Sequence, residues 1–197
     1  LLTTLTVMGG CTSSSTATAS TSNPSHQPGK SRGQHKVLFF PDPALPCRHG
    51  QKCKRKHCDF SHGKTSLTEF IRFLRCTKKT IDICVFTITC NDIANEILAL
   101  HRSGKKVRII TDTQQTTSQG SDIQQFRRAG IAVKEDHTPH HMHHKFAIID
   151  NVIVMTGSFN WTRAAVLNNK ENVVITDVKP VVQAFRMEFS NLWKQFH

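Results

Sequence analysis

From His143 to Asn160 the chain reads HHKFAIIDNVIVMTGSFN, two short aliphatic runs separated by Asp150-Asn151. Runs this apolar and this short suit strands buried on both faces better than helices. Asp-Asn between them is a tight-turn dipeptide, so 146–149 and 152–155 are expected to pair as an antiparallel hairpin. His143 and Lys145 stand two apart, so in an extended segment their side chains leave the same face. Gly157, Ser158 and Asn160 then bring backbone N–H groups, a hydroxyl and an amide back near the strand end. A nucleophile, an ammonium and several hydrogen-bond donors on one hairpin suit attack on a phosphodiester, whose oxygens must be held by fixed positive charge.

The flanking sequence alternates strand and helix signals. Residues 37–40 read as a strand. Ser66-x-x-Glu69 reads as a capping box opening a helix with Leu67, Phe70, Ile71 and Leu74 on one face. Residues 81–88 are a buried strand, 91–102 a helix closed by Gly104, 107–111 a strand, 121–128 a helix closed by Gly130, and 131–133 a short strand. After the hairpin come a strand at 173–176 and a helix at 181–196. This order predicts an α/β fold with a mixed β-sheet sandwiched between helices, mixed because the hairpin is antiparallel. The 197 residues suit one domain and a tail. Residues 1–37 are expected to be a disordered Ser/Thr-rich tail, and 38–197 the catalytic domain. The opening LLTTLTVMGG is too short to cross a bilayer and reads either as the stub of an N-terminal membrane anchor or as part of that tail.

Charge is concentrated. Residues 30–79 hold thirteen lysines and arginines against three acidic residues, so ten of the chain's twelve net positive charges fall there. Such a region favours a polyanionic partner, nucleic acid or an anionic lipid surface. Within it, Cys47, Cys53, Cys58 and His62 stand at C-x5-C-x4-C-x3-H in an insert at 47–62. Three thiolates and one imidazole complete a tetrahedral shell with no open position, the donor set of a structural zinc. Lys52, Lys54, Arg55 and Lys56 are the candidate substrate-binding residues. Cys76, Cys84 and Cys90 are expected to be buried thiols. Of the histidine run, His137, His140, His141 and His144 are expected to line the groove mouth or face solvent, not to form a metal tract.

The pattern H-x-K-x4-D-x6-G-S-x-N resembles the HKD signature of the phospholipase D superfamily, and Glu171 in NKENVVI matches the acidic residue that follows it there. One copy in a short chain, with a cysteine-rich insert near its start, resembles the Zucchini family over roughly residues 38 to 197. The resemblance implies a phospholipase D-like fold and a homodimer in which two protomers build one active site. It implies hydrolysis through a phosphohistidine at His143, with no catalytic metal, and the second protomer's histidine as acid and base. Lys145 and Asn160 would hold the phosphate oxygens, Ser158 would support that pocket, and Glu171 would fix the tautomer of His143. Asp150 would order the hairpin end, or alternatively act as the orienting carboxylate. The implied activity is single-strand-specific endoribonuclease cleavage in piwi-interacting RNA biogenesis, leaving 5′-phosphates, at the mitochondrial outer membrane facing the cytosol. The alternatives are hydrolysis of cardiolipin to phosphatidic acid, and a nucleic-acid-binding module with a vestigial site. The partners implied are single-stranded RNA or DNA and the anionic lipid cardiolipin.

Overall fold

The computed structural model describes residues 33–116 and 120–197. In chain order the elements are β1 (His35–Phe40), a 3-10 turn (Gly50–Lys52), α1 (Ser66–Arg75), β2 (Thr80–Val85), α2 (Asn91–Arg102) and β3 (Lys106–Thr111). Then follow α3 (Thr113–Thr116), α4 (Ile123–Arg128), β4 (Ala132–Glu135), β5 (Lys145–Ile149), β6 (Ile153–Gly157), α5 (Arg163–Leu167), β7 (Glu171–Thr176) and α6 (Lys179–Gln195). The strands form one sheet in the order β1-β7-β6-β5-β2-β3-β4. β2, β3 and β4 pair in parallel, and every other pairing is antiparallel. The sheet is mixed, as the hairpin requires.

Both faces of the sheet are covered, which explains why β5 reads as an unbroken apolar run. Ala147 and Ile149 join a core with Leu67, Phe70 and Leu74 of α1 and Ile93 and Ile97 of α2. Phe146 and Ile148 point the other way, into a core with Val182 and Phe189 of α6. On that second face Asp82 of β2 would be a stranded charge. Arg108 of β3 meets it with two hydrogen bonds of 2.7 Å, and its guanidinium lies over Phe189 and Trp193 at 4.9 and 5.1 Å. The paired charge therefore remains compatible with a largely apolar layer. The Lys134 ammonium donates to the carbonyls of Trp193 and Phe196, closing the end of α6.

Several boundaries differ from expectation. α1 is capped by Thr65 and Thr68, not by Ser66 and Glu69. The reason is Asp42, whose carboxylate accepts from the amides of Ser66 and Leu67 at 2.8 Å each and so sets the helix start one residue earlier. Glu69 pairs instead with Lys36 and Arg72. β2 ends at Val85, and Ile88 makes only an isolated bridge to Trp161. The short helices α3 and α5 are too brief for a periodic pattern to announce them. β1 begins at His35, inside the stretch expected to be tail, and the rest of that stretch, 1–32, lies outside the described residues. Cys84 and Cys90 are buried, whereas Cys76 is only partly so.

Candidate active site

The site is organised by the two ends of β5. At one end Asp150 and Asn151 form the hairpin turn with φ of +51° and +59°, the left-handed pair that a two-residue turn needs and that Asp and Asn tolerate. The Asp150 carboxylate accepts from the amides of Lys78, Lys79 and Thr80 at 2.8, 2.7 and 2.9 Å. Burial opposes its charge, but these amides outweigh that effect and hold its pKa below the usual carboxylate value. Asp150 thus ties the hairpin tip to the start of β2. It stands five residues from Lys145, roughly 17 Å at strand rise, too far to orient His143 as the alternative role required.

At the other end His143 stands two residues before the first residue of the strand and is exposed. The Lys145 ammonium lies 3.1 Å from His143 Nδ1 and donates to the His143 carbonyl at 2.7 Å. Phe86, just beyond β2, forms the wall beside both. Its ring centre is 4.8 Å from that of His143 and 5.3 Å from that of His141, and the Lys145 ammonium is 5.4 Å from it. Although the residue is exposed, partial desolvation of the imidazole depresses the pKa of His143, and the charges of Lys145 and His141 push it further down, while Asp112 opposes them. Burial likewise lowers Lys145, against the opposing charge of Glu171. The imidazole is therefore more readily neutral, the form in which it can act as a nucleophile.

The loop after β6 supplies the remaining groups. A Cβ on Gly157 would lie 2.1 Å from the Asn172 carbonyl oxygen, so only glycine allows β7 this close. The Ser158 hydroxyl donates to Glu171 and accepts from the Asn172 amide at 3.1 Å. Glu171 also accepts from the Asn169 side chain at 3.1 Å. The expected bond from Glu171 to His143 is not made among the described residues; the carboxylate is engaged by Ser158 and Asn169, and it reaches the site through its charge on Lys145. Asn160 is half-buried, and its Oδ1 is buried without a described hydrogen-bond partner. Rotation of that amide would present its N–H donors instead.

Two residues were not anticipated as part of the site. One is Phe86, whose signal would have been an aromatic residue at the C-terminal end of a buried strand. The other is Asp112, 1% exposed at the end of β3, which accepts from the Met142 amide at 3.1 Å and lies 3.2 Å from His141 Nδ1. It fixes the histidine run from below. That run, with Leu192, Gln195 and Phe196, lines a groove of about 560 Å³, and His137 is exposed, in keeping with the groove-mouth and solvent positions expected of these histidines.

The ligand atoms of Cys47, Cys53, Cys58 and His62 all lie within 4.8 Å of one another. The Cys47 and Cys58 sulfurs are 3.8 Å apart, and tetrahedral zinc with bonds of about 2.3 Å would set them about 3.8 Å apart. Burial opposes ionisation of Cys47, but the His49 amide and the neighbouring thiols and His62 bring its pKa down to about 7. The donor set fits a closed structural zinc. The insert is anchored by the Cys47 amide on the Ser61 carbonyl at 2.7 Å and the Ser61 amide on the Leu45 carbonyl at 2.8 Å. Lys52, Lys54, Arg55 and Lys56 are all exposed on it.

Residues 70–193 match the protein family described as cardiolipin synthase, PLD-like domain. The mitochondrial cardiolipin hydrolase of Chlamydomonas reinhardtii is 51% identical over 167 residues, 83% of this chain and 75% of that protein. The protein of the same name in Xenopus tropicalis is 38% identical over 163 residues, 81% and 77% of the two chains. Among solved structures, Nuc of Salmonella typhimurium, a phospholipase D family member, superposes with a TM-score of 0.67 at 23% identity, covering 84% of this chain and 97% of that one. NucT of Helicobacter pylori gives 0.63 at 22%, covering 83% and 98%.

Proposed function

This chain belongs to the phospholipase D superfamily, in the Zucchini family of mitochondrial cardiolipin hydrolases, and is a phosphodiesterase hydrolase; we propose that its substrate is single-stranded RNA, cut endonucleolytically to leave 5′-phosphates. The observation that carries this reading is the 3.1 Å pairing of His143 with Lys145 at the end of β5, in a chain whose net positive charge is concentrated in residues 30–79. Neutral His143 attacks phosphorus and the 3′-oxygen departs with the upstream fragment, so the phosphoryl group stays on the imidazole, still joined through the 5′-oxygen to the downstream fragment. Water then cleaves the phosphohistidine. When Lys145 turns from Nδ1 to the phosphate, that nitrogen is free to carry the proton, and Nε2 offers its lone pair. Lys145 and the Asn160 amide hold the non-bridging oxygens, the work a metal would otherwise do, so the chemistry requires no catalytic metal. Ser158 and Glu171 brace the loop that presents Asn160, and Asp150 braces the opposite end of the hairpin.

Each displacement also needs a proton donor and acceptor on the far side of phosphorus. This chain has one HKD histidine, so the second comes from another copy, in a homodimer with a single composite site. The Cys47, Cys53, Cys58 and His62 cluster holds a structural zinc that stiffens the insert, and Lys52, Lys54, Arg55 and Lys56 bind the strand by its phosphates. The domain that does this is residues 35–197, held at the cytosolic face of the mitochondrial outer membrane, where the RNA products enter the piwi-interacting pathway. The relatives' mitochondrial names support the organelle; among the described residues no helix is long and apolar enough to cross a membrane.

The second reading, hydrolysis of cardiolipin to phosphatidic acid, is favoured by the names of those relatives. Purified protein assayed side by side on single-stranded RNA and on cardiolipin vesicles, each with His143→Asn as the blank, separates the two. The nuclease reading expects His143-dependent RNA cleavage at low salt. Cardiolipin turnover without it would install the second reading.

A further inference from the structure

Between the cysteine insert and the body of the domain lies a cleft of about 360 Å³, separate from the groove at the histidine run. The insert lends it Arg48, Arg55 and Phe60; the body lends it Cys90 and Asp92 at the start of α2, and Arg163 at the start of α5. None of the three arginines forms an ion pair with a described residue. Asp92 is the only acidic residue of the lining, and it stands in the first turn of α2, where it favours the helix dipole. Phe60 is 42% exposed, a large aromatic ring left in solvent beside guanidinium groups.

We propose that this cleft is a second nucleotide subsite, taking a phosphate of the substrate strand other than the scissile one on Arg48, Arg55 and Arg163, with a base stacked on Phe60. The inference rests on the single-strand nuclease reading and specifies how the strand is held. Three guanidinium groups without a described ion pair and one aromatic ring, all lining one cleft, match the alternation of phosphate and base along a single strand. A cavity of this size is at the small end of ligand pockets, which suits one nucleotide. Its placement also fits. Arg163 follows Asn160 by three residues, so their Cα atoms are at most about 11 Å apart, close enough for a strand whose scissile phosphate lies against Asn160 to offer another phosphate to Arg163. The backbone fixes this arrangement, because the amides of Thr89 and Cys90 both donate to the Trp161 carbonyl at 3.0 Å, locking the start of α2 to the loop that carries Asn160.

The test uses zinc-loaded protein and a fluorescein-labelled single-stranded oligouridylate, with a second oligonucleotide carrying 2-aminopurine. Arg48→Ala, Arg163→Gln and Phe60→Ala are each compared with the parent for affinity across a salt series. Melting temperature and turnover of bis(p-nitrophenyl) phosphate serve as controls for folding and chemistry. Arg163 lies outside the insert, so a collapsed insert cannot account for its effect. The expected result is about tenfold weaker binding in each variant. For the arginine variants the log-log salt slope falls by roughly 0.7 for a lost phosphate contact. For Phe60→Ala the slope is kept, and the 2-aminopurine quenching seen with the parent is lost. Parent-like affinity and slope in all three variants would overturn the subsite while leaving the nuclease reading intact. A parent that holds no single strand at low salt would remove that reading and the subsite with it. Variants that lose binding only to cardiolipin-containing vesicles would assign the cleft to lipid and overturn the proposal.

Discussion

His143 and Asp150 sit beyond opposite ends of one strand, and protons act on them differently. The carboxyl pKa of Asp150 is depressed in the folded protein, so its stabilisation is fully present above the unfolded value of about 3.9 and is lost as pH falls through the folded value. Asp150→Asn is expected to cost about 1–3 kcal/mol at pH 7, with the difference from the parent shrinking below pH 4. Urea denaturation of both proteins at each pH measures it, and the zinc ligands, common to both, drop out of the comparison. The pKa of the His143 imidazole is depressed by partial desolvation and by Lys145. The ascending limb of kcat/KM on a small phosphodiester should therefore lie below the ordinary imidazole value of about 6.5. In Lys145→Gln, turnover should fall by about 100-fold or more, and the His143 titration followed by NMR should move upward. An unmoved titration would mean that the ammonium does not tune the nucleophile.

At the scale of elements, Gly157 shows how tightly the loop that carries Ser158 and Asn160 depends on a strand pairing. Gly157→Ala should destabilise by about 1–3 kcal/mol, because the methyl must displace the β7 backbone at Asn172. It should also lower turnover, since Ser158 hydrogen-bonds to the same strand. Chemical denaturation and steady-state kinetics on one preparation test both. The hairpin was legible in the sequence because buried strands and a two-residue turn leave local marks: the paired apolar runs, and residues that tolerate positive φ. The roles assigned to Ser158 and Glu171 were less so. Their mutual bond is set by how β7 approaches β6, a contact thirteen residues apart that no local pattern encodes. The cap of α1 is hidden from the sequence for a similar reason, since Asp42 reaches it from 24 residues upstream. Phe86 was hidden in the same way: an aromatic residue after a buried strand looks like more core until Lys145 and His143 are placed beside it.

For the whole molecule, the candidate metal cluster and the His143 site are separate parts of the chain. The cysteine insert closes on itself through Cys47, Cys53, Cys58 and His62, at one margin of a domain whose two cores lie on either face of the sheet. One zinc per chain is expected by elemental analysis, and Cys58→Ser should lower the melting temperature and yield, because so short and polar an insert cannot pack without its ion. Brief EDTA treatment should leave turnover of a small phosphodiester unchanged. Immediate inhibition relieved by magnesium would place a metal in the reaction instead. The central claim is that His143 takes the phosphoryl group, and the ends of the RNA products report on it most directly. Single-stranded RNA cleaved by the purified protein, and left intact by His143→Asn, should carry 5′-phosphate and 3′-hydroxyl ends. Products ending in a 2′,3′-cyclic phosphate would show attack by the ribose 2′-hydroxyl and would contradict the phosphohistidine.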